Sequence, residues 1–255
     1  NTAAAFAVPR LAITRREIVY RSGIHTTPLR SETVIDARGV EAIVAAEYRR
    51  AAVDRSAIET GAVIITGETA RKENARQVLA ALAGFAGDFV VATAGPALEG
   101  VLAARGAGCD VYAAEHGAAV LNFDIGGGTA NGCLFDRETC AGTGCLNVGG
   151  RLVKLEPDGT VAYVSPVLSG LSPPAVGRRV TAEDLTPLCR RLAEALEEAA
   201  GLRPRTDLSR RLATDRLPPL PPPGALLSFS GGVADLIDAD PAPPWLAYGD
   251  IGVLL

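Results

Sequence analysis

The chain has 255 residues, a hydrophobic fraction of 48% and a formal net charge of −4. That much apolar surface excludes a disordered polymer and supplies core for one large domain or two of moderate size. The acidic balance excludes the broad basic footprint of a protein that tracks a polyphosphate backbone, so no nucleic acid is expected as a partner.

Along the chain, Val40, Ile43, Val44, Tyr48 and Ala51 recur at three and four residues and predict a helix over 40–52. Ala62 to Ile65 is a short continuous apolar run before Thr66-Gly67, the pattern of a buried strand leaving a sheet at a turn. Ala75, Val78, Leu79 and Leu82 mark a second helix, Phe89 to Ala92 a second buried strand, and Leu98, Val101 and Leu102 a third helix. Such alternation predicts a mixed or parallel sheet covered by helices, an α/β fold. Ala119 to Phe123 reads as the next strand, and 129–135 and 144–148 as strands of a hairpin or meander turning around Asp136 to Thr139.

Leu185, Leu188, Leu192, Leu196 and Ala199 predict an amphipathic helix. Its start is either Thr186 with Pro187 in the first helical position, or Thr181 with Asp184 as a capping box. The proline-rich stretch 217–223 reads as a stiff extended connector, with recruitment of an SH3-like domain as the alternative. Leu226 to Ser230 is a last buried-strand pattern, running into Gly231-Gly232.

Five cysteines, Cys109, Cys133, Cys140, Cys145 and Cys189, form no C-x-x-C pair, and the odd number suits reduced, partly buried thiols. His25 and His116 stand far from each other and from Cys140 and Cys145, so no zinc site is expected. No apolar run approaches the roughly 18 residues of a membrane span. A soluble, cytoplasmic protein without membrane partners is the expectation.

Asn122-Phe123-Asp124-Ile125-Gly126-Gly127-Gly128-Thr129-Ala130-Asn131 carries the strongest chemical signal. A buried strand delivers an acid and three glycines to a tight turn, where missing Cβ atoms let backbone N–H groups approach an anion closely. Asp124 suits a magnesium ion held through water, and Thr129 adds a hydroxyl. A dinucleotide fingerprint needs a helix directly after its glycines and a Walker loop needs a lysine; neither is here. A plain hairpin turn is the competing reading, though it leaves an acid at a buried strand end without a reason to be there. Gly231 and Gly232 follow a similar strand and would let an adenine or ribose lie against main chain, or are simply a turn. Glu68, at the exit of the strand ending at Ile65, could position a water for attack on a terminal phosphate, or merely open the next helix with negative charge.

In this order the motifs resemble those of the actin, heat-shock chaperone and sugar-kinase superfamily. Within it they are similar to the reactivating factors of ethanolamine ammonia-lyase, through Ile64 to Arg76, Gly87 to Pro96, Leu121 to Asn131, Cys145 to Leu152 and Ser230 to Val233. The resemblance implies an actin-like, ribonuclease H-like α/β fold of two lobes around a nucleotide cleft, divided as 1–118 and 119–255. It implies ATP or ADP and Mg²⁺ as cofactors, with Asp124 on metal and in catalysis together with Glu68. Gly126, Gly127, Gly128 and Thr129 would lie on phosphate, and Gly231 and Gly232 on adenosine. The implied activity is ATP-dependent, chaperone-like release of damaged cobalamin from inactivated ethanolamine ammonia-lyase, so that adenosylcobalamin can replace it. A nucleotide-binding adaptor without turnover, and a small-molecule kinase or phosphatase, are the alternatives. The family opens with a further phosphate loop, D-I-G-T-T-T, and has a long C-terminal portion, so the chain is expected to be truncated at both ends. ATPase activity is thus expected of the complete protein rather than of this segment. Association with a bacterial microcompartment is left open.

Overall fold

The computed structural model describes residues 17–23, 25, 27–31, 33–65, 73–86, 89–93, 95–237, 239–240 and 242–255. The chain divides into two compact units, one of 1–63 and 72–91, the other of 64–71 and 92–255.

The first unit contains the short antiparallel pair β1 (Leu29–Ser31) and β2 (Val34–Ile35), and the helices α1 (Ala37–Ala51) and α2 (Ala75–Ala86). Ile35, Ala75, Val78 and Leu82 form its small core, with Val40 and Val44 of α1 packed against it. The predicted stripe of α2, Ala75, Val78, Leu79 and Leu82, is buried, while that of α1 is half-buried with no residue fully enclosed. Asn74 holds β2 from the side: its Oδ1 accepts from Ile35 N and its Nδ2 donates to Ile35 O, both at 2.8 Å. β3 (Gly61–Ile65) and β4 (Phe89–Thr93) pair with each other among the described residues.

The second unit is built on a four-stranded sheet in the order β10-β5-β6-β7, made of β5 (Ala119–Ile125), β6 (Ala130–Asp136), β7 (Thr139–Leu146) and β10 (Leu226–Ser230). β5, β6 and β7 form an antiparallel meander, and β10 returns parallel to β5. The sheet is mixed, as expected. On one face Leu121, Phe123, Ile125, Ala130 and Leu134 share a core with Leu185, Leu188, Leu192, Ala195 and Ala199 of α5 (Ala182–Ala200). On the other, Val120, Cys133 and Phe135 pack with Ala104, Cys109 and Ala113 of α3 (Pro96–Gly106) and α4 (Cys109–His116). Burying each fully enclosed side chain such as Leu121 or Phe123 stabilises the fold by about 1.5–3 kcal/mol.

Two readings are corrected by this packing. The first is the division after residue 118, since α3 and α4 lie on the sheet that begins at Ala119 and belong to its unit. The second is the start of α5 at Thr186: Thr181 is the N-cap, in a capping box where Thr181 Oγ1 accepts from Asp184 N at 3.3 Å and Asp184 Oδ2 accepts from Thr181 N at 2.9 Å. Pro187 consequently sits inside the helix. Burial of Leu185, Leu188, Leu192, Ala195 and Ala199, together with the cap, offsets the hydrogen bond that Pro187 cannot donate.

α4 carried no periodic signal, because its larger apolar residues Val111 and Tyr112 are exposed and only Cys109 and Ala113 are buried. α6 (Asp207–Leu212) and the antiparallel pair β8 (Val153–Leu155) and β9 (Val161–Val164) were likewise too short to show a period. The proline-rich connector is seated on the sheet: a Cβ on Gly144 would lie 2.1 Å from Pro218 N, and one on Gly132 3.0 Å from Pro218 Cγ. Small residues in β6 and β7 thus make the bed on which Pro218 lies.

Candidate functional site

The sheet brings the acidic strand end and both glycine turns to one edge. β10 runs parallel to β5 in a register that sets Ser228 beside Asn122 and Ser230 beside Asp124. Parallel neighbours end at the same side, so the turn after Ser230 lies next to the turn after Ile125. Val233 N donates to Ile125 O at 3.1 Å and fixes that adjacency.

Asp124 is half-buried and faces the α3 and α4 side of the sheet with Asn122, Asn131 and Cys133. Its Oδ1 accepts from Ser230 Oγ at 3.3 Å, and Asn122 Nδ2 donates to that same Ser230 Oγ at 3.0 Å. Burial pushes the Asp124 carboxyl above its ordinary value, and the Ser230 hydrogen bond pulls partly against that rise. Opposite Asp124 in the β5–β6 ladder stands Asn131, which is 2% exposed. The Oδ1 atoms of Asn122 and Asn131 are both buried without a hydrogen-bond partner, so the interior beside the acid holds unsatisfied acceptors.

Gly126, Gly127, Gly128 and Thr129 form the four-residue turn between Ile125 and Ala130, and all four are half-buried. Gly126 N donates to Thr129 O at 3.0 Å, whereas no backbone acceptor among the described residues takes the N–H of Gly127, Gly128 or Thr129. On the far side the turn is braced: Gly126 O accepts from Gly150 N at 3.2 Å and Gly127 O from Arg151 N at 2.6 Å. Both bonds draw the Gly126 and Gly127 carbonyls toward the 149–151 loop. Neither Gly126 nor Gly127 has a positive φ; a Cβ on Gly126 would meet nothing closer than 3.8 Å, so glycine there supplies openness, whereas a Cβ on Gly127 would press on the Arg151 stem.

Strict glycine requirements fall elsewhere. Gly231 has φ +92°, and a Cβ on it would stand 2.6 Å from Asp124 Oδ1 and 2.6 Å from Ile125 O. A Cβ on Gly149 would lie 2.5 Å from Gly127 O. Gly232, by contrast, is exposed with open space around its Cβ position. Gly149, Gly150 and Arg151 had received no role from the sequence. Arg151 lays its stem over Gly127, with Cδ 3.2 Å from the Cβ position, and its Nε is 3.7 Å from Asp250 Oδ2. The sequence places Ser230 at the end of a strand and at the start of the block 230–233 that carries the resemblance, with no role of its own. The signal for both was positional, each lying within or beside a glycine pair that follows a strand.

The structure thus gathers Asp124, Gly126, Gly127, Gly128, Thr129, Gly231 and Gly232, and Glu68 lies outside the described residues. Among the described residues no group of three or more His, Cys, Asp or Glu could hold a metal ion. The Asp124 carboxylate fits Mg²⁺, which keeps several waters and takes one or two carboxylates together with substrate phosphates. No helix among the described residues is long and apolar enough to cross a membrane.

These features define an α/β protein whose mixed sheet presents, at one edge, an acid between two glycine turns. The chain belongs to the family of the ethanolamine utilisation protein EutA, whose model matches residues 1–255. It is 37% identical over 262 residues to the ethanolamine ammonia-lyase reactivase EutA of Escherichia coli strain K12, and equally to that of Salmonella typhimurium strain LT2. Each match covers 100% of this chain and 55% of the relative, so the chain spans about half the length of the curated relatives it matches. Among solved structures it is similar to a Ppx/GppA family member of Aquifex aeolicus, at 16% identity and a TM-score of 0.44 over 68% of this chain and 49% of that one. It is also similar to MreB5 of Spiroplasma citri bound to ADP, at 20% identity and a TM-score of 0.33 over 49% and 35%.

Proposed function

We propose that the chain is the nucleotide-holding portion of an actin-like ATPase that reactivates ethanolamine ammonia-lyase by releasing damaged cobalamin for exchange with adenosylcobalamin. The observation that carries this reading is the meeting of Asp124 with Ser230 and Gly231 across the β5–β10 edge, which puts an acid and two backbone turns within reach of one ligand. The relatives named as reactivases supply the partner.

In this reading the N–H groups of Gly127, Gly128 and Thr129 would hold the phosphates of ATP, and Gly231 and Gly232 would offer flat main chain to adenosine. Asp124 would hold the hydrated cation, and Ser230 fixes one of its carboxylate oxygens. A bound Mg²⁺ would offset phosphate charge and polarise the terminal phosphoryl group. Glu68 is the proposed acid that orients the attacking water. Exchange of ATP for ADP would drive the shape change felt by the lyase only if the two shapes differ in their affinity for the two nucleotides.

The test is reactivation of cobalamin-inactivated ethanolamine ammonia-lyase by the full-length protein, with and without ATP and Mg²⁺. Asp124→Ala is expected to abolish the ATP-dependent part; undiminished reactivation would remove Asp124 from the mechanism. Retained nucleotide binding without phosphate release by the unaltered full-length protein would favour an adaptor. Transfer of phosphate to a small molecule would favour a kinase.

A further inference from the structure

We propose that Cys133 and Cys140 are a thiol pair that a hydroperoxide oxidises to a cross-strand disulfide. Their Sγ atoms are 3.7 Å apart, one on β6 and the other on β7. They are not register partners, since Cys133 pairs with Thr143 and Cys140 with Phe135. The register slips between Leu134, paired with Gly142, and Phe135, paired with Cys140, so Ala141 is the extra residue of a bulge on β7 and Cys133 and Cys140 are diagonal neighbours beside it. A disulfide places its sulfurs at about 2.05 Å, so closure needs an approach of about 1.7 Å, within the range of side-chain rotation on two already adjacent strands.

The two thiols differ in the way such chemistry requires. Cys140 is exposed at the mouth of the β6–β7 hairpin and can meet an oxidant. Cys133 is fully buried beneath α3 and α4, with Cys109 in the same cluster. Burial, followed by the neighbouring Cys140 thiol, pushes the Cys133 thiol up to about 12, which shields it from direct oxidation. Cys140 is therefore the attacking group and Cys133 the resolving one.

In the first step the Cys140 thiolate attacks one peroxide oxygen; an S–O bond forms, the O–O bond breaks and hydroxide leaves, giving a sulfenic acid. Next Cys133 sulfur attacks Cys140 Sγ. The S–S bond forms, the S–O bond breaks, and the departing hydroxide takes up the Cys133 proton as water. Two thiols lose two electrons and two protons in all, and hydrogen peroxide becomes two waters.

Cleavage after arginine leaves peptide 106–137, with Cys109 and Cys133, and peptide 138–151, with Cys140 and Cys145, so substitution of single cysteines assigns the link. A link that survives Cys133→Ala would belong to Cys109 and overturn the proposal. The chain, fully reduced and then treated with stoichiometric hydrogen peroxide, is digested without reductant and weighed. The expected product is those two peptides joined, lighter by two hydrogens than their sum and separated by dithiothreitol. Cys140→Ser, a change at an exposed position, is expected to abolish the link, and Cys133→Ala to leave Cys140 as its sulfenic or sulfinic acid. A link that survives Cys140→Ser would belong to Cys145 and overturn the proposal, as would Cys140 in the unaltered chain proceeding to the sulfinic acid with no link at all. Circular dichroism of each variant confirms that the comparison is between folded proteins.

Discussion

Ser230 Oγ donates to Asp124 Oδ1 at 3.3 Å, joining residues 106 positions apart in the chain. Asn122 Nδ2 donates to the same Ser230 oxygen at 3.0 Å, so one hydroxyl ties the interior of β5, the end of β5 and the end of β10 together. Ser230→Ala takes away the hydrogen bond that restrains the rise of the Asp124 carboxyl, and leaves the buried Asn122 amide without this acceptor. The expected cost is about 1–3 kcal/mol in urea unfolding, with weaker Mg²⁺-dependent ATP binding by the full-length protein. A variant as stable as the parent would show that water replaces the hydroxyl.

The two glycines of the second turn should separate fold from ligand. Gly231→Ala forces φ +92° on a residue with a Cβ and drives that Cβ to 2.6 Å from Asp124 Oδ1, so a loss of about 2 kcal/mol or more is expected. Gly232→Ala meets open space and should unfold like the parent. If adenosine lies against that main chain, Gly232→Ala in the full-length protein lowers ATP affinity while stability is unchanged, as titration calorimetry would show.

Glu198, 5% exposed in the last turn of α5, accepts from Thr206 N at 2.8 Å, Thr206 Oγ1 at 2.7 Å and Ser209 N at 3.3 Å. It therefore joins α5 to the first turn of α6. Burial pushes its carboxyl up, yet hydrogen bonds from Ser209 and Thr206 outweigh burial and hold it below the ordinary value. A depressed acid contributes stability that is fully present above its unfolded pKa of about 4.3 and lost as pH falls through the folded value. Glu198→Gln removes the charge and leaves one acceptor oxygen where the carboxylate has two, and is expected to cost about 2 kcal/mol at neutral pH. The difference should shrink in unfolding curves taken below about pH 4.

Thr181→Ala removes the acceptor for Asp184 N and with it half of the capping box. A loss of about 1 kcal/mol is expected in chemical denaturation. Asp184 can still accept from the backbone of residue 181, so a loss well below that figure would assign most of the cap to the carboxylate.

From the amino-acid order alone came the α/β alternation, the amphipathic stripe of α5 and the acid followed by three glycines, because each depends on neighbours within a few residues and on the strand or helix period. Glu68 belongs to the same local reading and lies outside the described residues. Tertiary structure decided which strand stands beside which, and that choice set the site. It placed Ser230 on Asp124, Gly149 against Gly127 and Glu198 under the first turn of α6. It also moved the strict glycine requirement from Gly126, where the turn is open, to Gly231 and Gly149, where another backbone or the acid occupies the space of a Cβ. Periodicity shows which face of an element is buried. Contacts between residues tens or a hundred positions apart depend on sheet order and register, which no local pattern encodes.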